Sequence, residues 1–228
     1  MKNKNIKKQK KAKSRAKAVT KQKNHDGLIH KKYKISYEPV TDEEYPEEID
    51  KQYNKIHDMV YEEPKKAISY LQELKTKYPN VPILYNWLAI AQSNVGDFVS
   101  CEITIKENYE RNPDYLFAKL NYAEICLHKG RLDEIPIIFD GNFDLSFLYP
   151  NRDTFHISEV INFFGFMAIY RVDIGEIDLA KTYYKLIKQL APEHIITKRV
   201  EQKISNKRME NLALNIKKFL SKSGKLEK

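Results

Sequence analysis

Residues 82–113 read PILYNWLAIAQSNVGDFVSCEITIKENYERNP, and this stretch decides the fold. Apolar and small residues recur at helical spacing on both sides of Gly96 and Asp97, and Asn112-Pro113 closes the stretch. Glycine suits the left-handed backbone position after a helix, and aspartate can cap the helix that begins next. The stretch therefore predicts a pair of helices joined by a tight turn.

The same pattern recurs along the chain at a constant offset. Gly96 and Gly130 are 34 residues apart, and Gly175 follows Gly130 after 45 residues. The longer interval equals one period plus 11 residues, so we place an insertion at about 140–157. A constant period of this length is typical of stacked helix pairs, whereas an irregular helical bundle does not require one.

These positions resemble the tetratricopeptide repeat family. The family pattern has a large residue and a small residue in the first helix, a turn glycine, a small residue in the second helix and a terminal proline. The second unit supplies Tyr85, Ala89, Gly96, Cys101 and Pro113, and the last unit supplies Phe164, Ala168, Gly175, Ala180 and Pro192. The first and third units keep only part of the pattern.

The resemblance implies an all-α fold, a right-handed superhelix of antiparallel helix pairs (an α-solenoid). The repeat domain would cover residues 48–194. Its units would be 48–81, 82–115, 116–160 with the insertion, and 161–194. Residues 195–228 would form a basic capping helix and tail, because terminal repeats need a polar outer face.

Charge is segregated along the chain. Residues 1–34 carry 14 Lys or Arg and one acidic residue, residues 35–194 carry 16 basic and 27 acidic residues, and residues 195–228 carry 10 and 3. Residues 1–25 hold too few apolar residues to bury a core, which predicts a disordered basic tail. Such a tail could keep the protein in solution, bind RNA or another polyanion, or fold on a partner; the sequence leaves these open.

Residues 26–47 are expected to be a linker. Tyr33, Ile35 and Tyr37 alternate with polar residues, which predicts a short extended segment. Because one strand cannot form a sheet alone, we expect this segment to lie across the helices, and it could occupy the groove of the superhelix.

The family resemblance implies a concave groove lined mainly by first helices. Ten positions map onto that groove: Asn86, Ile90, Ser93, Asn94, Asn121, Glu124, His128, Phe166, Ile169 and Asp173. We expect about half of them to contact a ligand and the others to pack or to face solvent. The acidic residues among them favour a peptide or protein partner of basic or polar character.

The insertion is a second candidate surface because aromatic residues crowd into it. Its candidate partner-binding residues are Phe143, Phe147, Tyr149, Arg152, Phe155 and His156. If these side chains are exposed, they mark a binding site. The alternative is that they fold back and replace the core of the shortened second helix expected at about 133–139.

No catalytic motif stands out. The chain has no glycine-rich phosphate loop and no zinc-type histidine pair, so we predict no enzyme activity, no cofactor and no metal. Cys101 and Cys126 fall within apolar helical patterns and are predicted to be buried thiols. The longest apolar stretch, residues 161–170, is too short to span a bilayer, so we expect a cytoplasmic protein with no membrane partner.

The sequence therefore predicts a non-enzymatic scaffold or adaptor that binds a peptide or protein. The alternative is an RNA- or ribosome-associated adaptor that uses its basic ends, residues 1–25 and 195–228. The oligomeric state stays open.

Overall fold

The computed structural model describes residues 33–38 and 45–223. The helices are α1 (Glu47–Glu62), α2 (Pro64–Lys77), α3 (Pro82–Asn94), α4 (Phe98–Arg111), α5 (Leu116–His128), α6 (Ile135–Ile138), α7 (Leu145–Leu148), α8 (Ile157–Asp173), α9 (Ile177–Leu190) and α10 (Ile195–Ser223). The strands are β1 (Lys34–Ser36) and β2 (Thr154–His156). The predicted helical fold is confirmed, whereas the predicted disordered tail, residues 1–25, lies outside the described residues.

The chain divides into two compact units between His156 and Ile157. In the first unit each helix from α1 to α5 packs against its successor, and α1 also contacts α3, which contacts α5. In the second unit α8, α9 and α10 all contact one another. Contacts between successive helices, and between α1, α3 and α5 in the first unit, are those of helix pairs stacked in chain order.

Three turns between paired helices share one backbone geometry. Gly96, Gly130 and Gly175 have φ angles of 79°, 70° and 86°. Each glycine N–H donates to the carbonyl three residues earlier, at 3.0–3.1 Å, and the next N–H donates to the carbonyl five residues before it, at 2.8–2.9 Å. This double hydrogen bond closes a helix and turns the chain back. The turns predicted at these glycines are confirmed.

The starts of the helices also follow the sequence signals. Asp97 caps α4, because its carboxylate accepts a hydrogen bond from the backbone N–H of Ser100 at 3.0 Å. The hydrogen bonds from Ser100 hold the pKa of the Asp97 carboxyl below its usual value. Pro64 and Pro82 occupy the first turns of α2 and α3, where the missing N–H costs no helical hydrogen bond.

The first two helix pairs share one apolar core. Ile56, Leu71 and Leu88 are almost completely buried in it. The rings of Tyr53 on α1 and Trp87 on α3 meet edge to face, with centroids 4.9 Å apart. Burying an aliphatic side chain of this size contributes about 1.5–3 kcal/mol, so the core is what holds successive pairs together.

The expectation of a lone extended segment across the helices is wrong. Residues 34–36 do form a strand, but β1 pairs in parallel with β2, with Ile35 opposite Phe155. The backbone N–H of Lys34 donates to the carbonyl of Asp153 at 2.8 Å, and the ring of Tyr33 meets that of Phe155 at 5.0 Å. The partner strand lies within the insertion, where no sequence pattern indicated a strand.

The third helix pair is incomplete, as predicted. Its second helix, α6, has four residues and ends where Asp140 and Gly141 adopt φ angles of 51° and 74°. The Gly141 N–H donates to the Pro136 carbonyl at 2.8 Å. The ammonium of Lys119, on α5, donates to the carbonyl of Ile138 at 3.0 Å, so a neighbouring helix satisfies the carbonyl end of α6.

In the second unit α10 runs along α8 in the same direction. The side chain of Ile196, at the start of α10, packs so closely on Gly165 that a Cβ there would have no room. Further along both helices, Lys203 forms an ion pair with Asp173 at 2.7 Å. Val200, between these contacts, is completely buried. The first third of α10 therefore packs against α8.

Candidate partner-binding surfaces

Two of the predicted groove residues on α3 and α5 are bonded to each other. The amide of Asn121 donates to the amide oxygen of Asn86 at 3.1 Å, which joins α5 to α3. Asn86 also donates to the hydroxyl of Tyr115 at 3.2 Å. Both asparagines are only partly exposed. Their amides therefore connect neighbouring helices. Packing of this kind is one of the roles expected for the groove positions that do not contact a ligand.

The amide network extends to α4. Asn108 is 1% exposed, and it donates to Asn86 at 3.1 Å and to the carbonyl of Pro82 at 3.2 Å. Asn112 in turn donates to the amide oxygen of Asn108 at 2.8 Å. A buried amide left without partners costs about 1–3 kcal/mol, so these bonds favour one relative position of α3, α4 and α5.

The carboxyl end of α3 presents the accessible part of the predicted groove. Ser93 and Asn94 are exposed, and Ile90 is partly exposed. Asn94 also donates to the carbonyl of Val60 at 3.0 Å, which ties this end of α3 to the last turn of α1. Ile90, Ser93 and Asn94 follow at i, i+3 and i+4, so they share one side of α3.

On α5 two of the corresponding residues contact each other. His128 Nε2 lies 3.4 Å from a carboxylate oxygen of Glu124, and the two side chains are 69% and 28% exposed. The predicted groove positions on α3 begin at Asn86, and those on α5 begin at Asn121. Because these two residues are bonded to each other, the positions that follow them lie along the same side of the two helices. We call Ile90, Ser93, Asn94, Glu124 and His128 the groove surface.

The groove positions predicted on α8 are wrong for two residues. Phe166 and Ile169 are 3% and 1% exposed, so neither can meet a partner. Asp173 is bonded to Lys203 of α10. Since α10 lies on the side of α8 that carries Gly165 and Asp173, it covers part of this face. The nearly continuous apolar run of α8 did not indicate on which side of the helix α10 packs.

The insertion contains both buried and exposed aromatic residues. Phe155 is completely buried, so its place in the predicted insertion surface is wrong. The burial of Phe155 is what the alternative of a folded-back core predicted, and it is buried together with Phe139 and Leu145. Phe147 is 50% exposed, whereas Phe143, Tyr149, Arg152 and His156 are partly buried. Of the six predicted residues, Phe147 is therefore the most accessible to a partner.

The interior of the insertion is held by an arginine between two rings. The guanidinium carbon of Arg152 lies 4.4 Å from the centre of the Phe155 ring and 5.5 Å from that of Tyr149. The hydroxyl of Tyr149 donates to the carbonyl of Asp114 at 2.9 Å, just before α5 begins. Cation–π contacts of this kind contribute about 0.5–2 kcal/mol each.

Two buried charged groups were not singled out by the sequence. Lys119 is 6% exposed, and burial lowers its pKa, while Asp140 at 4.0 Å opposes that shift. Asp144 is 7% exposed and accepts a hydrogen bond from the backbone N–H of Ser146 at 2.8 Å. Burial, followed by the nearby Asp144 carboxylate, raises the pKa of Tyr33. Both groups have structural partners, and a charged residue in an apolar run was the only signal for Lys119.

The two thiols differ in burial. Cys126 is completely buried, as predicted, and burial raises the pKa of its thiol to about 11. Cys101 is partly exposed, and burial raises its pKa as well. A thiolate is the reactive form, so burial disfavours the reactive form of both cysteines.

Comparisons and searches add little to these surfaces. Across residues 33–38 and 45–223, no three His, Cys, Asp or Glu residues are arranged to hold a metal ion. Within the same residues, no helix has the length and apolar character needed to cross a bilayer. No family model, no curated protein and no solved structure matches the chain.

Proposed function

We propose that the chain is a non-enzymatic adaptor built as a tetratricopeptide-like, right-handed superhelix of helix pairs, and that it binds a peptide or protein on the groove surface. The observation that carries this proposal is the repeated geometry of the turns. The three turns at Gly96, Gly130 and Gly175 share one hydrogen-bonding pattern at offsets of 34 and 45 residues.

Contacts between first helices support the same arrangement. Tyr53 meets Trp87, and Asn94 bonds to Val60; each pair is 34 residues apart. Asn86 and Asn121, 35 residues apart, form the next such contact. A constant offset means that successive first helices run in the same direction and lie in register, which is how repeat pairs build a continuous concave side.

The chemistry of the groove surface favours a polar or basic segment. Ile90 offers an apolar contact, Ser93 and Asn94 offer hydrogen bonds, and Glu124 offers a carboxylate. The last turn of α3 contains no basic side chain, so the negative end of its helix dipole is not compensated there. A lysine or arginine of the partner would find both an acceptor and a favourable potential at this end.

Photo-crosslinking tests the proposal directly. A photoreactive amino acid placed at Ser93 is expected to join the full chain to a protein partner inside cells. The matched control carries the same amino acid at Lys106, which is also exposed but lies on the side of α4 opposite buried Thr104 and Asn108. Mass spectrometry of the product then identifies the joined segment.

The expected result is a polar or basic peptide segment joined at Ser93 and absent at Lys106. Equal products at both positions, or recovery of nucleic acid alone, would contradict the proposal. Substitutions at Asn86, Asn121 or Phe166 are unsuitable as tests, because these side chains hold or fill the helix stack.

The second candidate is an RNA- or ribosome-associated adaptor, favoured by the segregation of charge. Residues 195–228 carry 10 basic and 3 acidic residues, whereas residues 35–194 carry 16 basic and 27 acidic residues. Binding through such a basic end would weaken steeply with salt, because each phosphate contact releases counterions. A log–log plot of RNA affinity against salt concentration for the full chain, compared with a chain lacking residues 1–25, measures this. No affinity, or a flat plot, would exclude this candidate.

A further inference from the structure

The last helix, α10, uses two different faces along its 29 residues. Near its start, Ile196, Val200 and Ile204 follow at intervals of four and lie against the rest of the second unit. Beyond Ile204, every residue from Ser205 to Lys217 with a described side chain is exposed, apart from the partly buried Lys207. This distal part of α10 is therefore a helix with little packed against it.

The distal part carries an apolar stripe of its own. Met209, Leu212 and Ile216 are 65%, 54% and 51% exposed. Together with exposed Ala213 they follow at i, i+3, i+4 and i+7, which places them on one face. Met209 is five residues after Ile204, a rotation of about 140°, so the stripe points away from the packed side of the helix.

The rotation matters because the stripe cannot be an extension of the capping contact. A side chain that continued the buried face would fall near Leu214, which is itself 51% exposed. The stripe is therefore not part of the contact between α10 and the other described residues of the second unit. Arg208 and Lys217 flank it on either side, while the one described acid of this part, Glu210, pairs with Lys207 at 3.0 Å.

We infer that Met209, Leu212, Ala213 and Ile216 form the contact face of a docking helix, and that its occupant is a partner protein with an apolar groove bordered by acidic residues. An amphipathic helix enters such a groove through anchors at i, i+3, i+4 and i+7. The basic flanks provide charge complementarity with acidic borders. This surface is separate from the groove surface, and its function does not depend on the proposal made for that surface.

Other occupants fit the same residues less well. RNA would use the lysines and arginines but leave three large apolar side chains without a role. A bilayer interface binds a helix in proportion to the apolar area that the helix buries, and this stripe offers only three large apolar side chains over two turns. A second copy would set like basic flanks against each other, and two helical turns bury far less than the roughly 1,200 Å² of a stable interface.

The test compares two exposed leucines that lie two residues apart on different faces. Leu212→Asp places a charge in the stripe, and Leu214→Asp places the same charge about 160° away from it. The two leucines are 54% and 51% exposed, so both variants are expected to fold equally well. The probe is calcium-loaded calmodulin, an acidic protein whose apolar grooves take amphipathic helices. Binding of the labelled full chain is followed by fluorescence anisotropy.

The expected result is that the wild-type chain binds, that Leu212→Asp weakens binding at least about tenfold, and that Leu214→Asp changes it less than about twofold. Chelation of calcium, which closes the grooves, should abolish binding. Circular dichroism checks that both variants keep the wild-type helix content.

Four results would overturn the inference. The first is no binding by the wild type, and the second is equal weakening by the two variants. The third is that the wild type binds vesicles of phosphatidylcholine with phosphatidylglycerol, or a single-stranded RNA, instead of calmodulin, and that Leu212→Asp loses this binding. The fourth is a wild-type dimer in analytical ultracentrifugation that Leu212→Asp converts to a monomer.

Discussion

The second and third helix pairs start alike and end differently. Both turn at a glycine with the same hydrogen bonds, Gly96 in one and Gly130 in the other. After the turn, α4 continues for 14 residues, whereas α6 stops after four. A regular pair thus covers its neighbour with a full helix, whereas the incomplete pair must be completed by other parts of the chain.

The missing part is supplied by residues that are distant in sequence. Lys119 satisfies the end of α6, and Tyr149 bonds back to the segment before α5. Strand β1 arrives from 120 residues earlier and brings Tyr33 onto Phe155. A repeat that loses half a helix therefore stays folded through long-range contacts, while an intact repeat depends mainly on its neighbours.

The largest predicted effect is at the incomplete pair. Phe155→Ala is expected to lower the free energy of unfolding by about 3–5 kcal/mol, because it empties a fully buried aromatic site. Phe147→Ala, a few residues away and 50% exposed, should cost about 1 kcal/mol or less. Urea denaturation followed by circular dichroism measures both.

If the two substitutions lower the free energy of unfolding equally, the insertion does not complete the third pair, and the contrast between the second and third pairs disappears. Limited proteolysis provides a second measurement. Loss of Phe155 should also release β1, so the variant should be cleaved more readily near residues 33–38.

The next effect tests the regular pair. Asn108→Ala should lower the free energy of unfolding by about 1–3 kcal/mol, since it removes the hydrogen bonds that Asn108 makes with Asn86, Asn112 and the carbonyl of Pro82. Asn211→Ala, on an exposed part of α10, serves as the control and should change stability by less than about 0.5 kcal/mol. Equal effects would mean that the amide network does not join α3, α4 and α5.

The smallest predicted effect is a difference between Cys126 and Cys101 in how their contribution to stability depends on pH. The Cys126 pKa is raised from 9.0 to about 11, so its contribution to stability is complete below about pH 9 and is lost as the pH rises towards 11. The difference in unfolding free energy between the wild type and Cys126→Ala should shrink over that range. The same comparison for Cys101→Ala, whose thiol is partly exposed, should change less. A constant difference for Cys126 would show that its thiol is not desolvated.

Local signals in the sequence predicted much of this fold. Glycines at constant spacing located the turns, and Asp97 indicated where α4 begins. The shortened α6 followed from Asp140 and Gly141, which favour a turn. These signals work because capping and turn geometry depend on a few neighbouring residues.

Contacts between distant segments could not be predicted in this way. The pairing of β1 with β2 has no local signal, because each strand has only three residues. The continuous apolar run of α8 did not show where α10 would pack, so Phe166 and Ile169 were placed in a groove although they are buried. The repeated asparagines 86, 108, 112 and 121 were visible in the sequence, and their helical spacing could have indicated a buried network.

The most direct test of the central claim, partner binding on α3 and α5, is hydrogen exchange of the full chain with and without the segment captured at Ser93. The structure predicts slower exchange at residues 86–94 and 121–128, which contain the groove surface. Residues 98–111 of α4 should exchange as before. Protection confined to residues 143–156, or no change in α3 and α5, would contradict the claim.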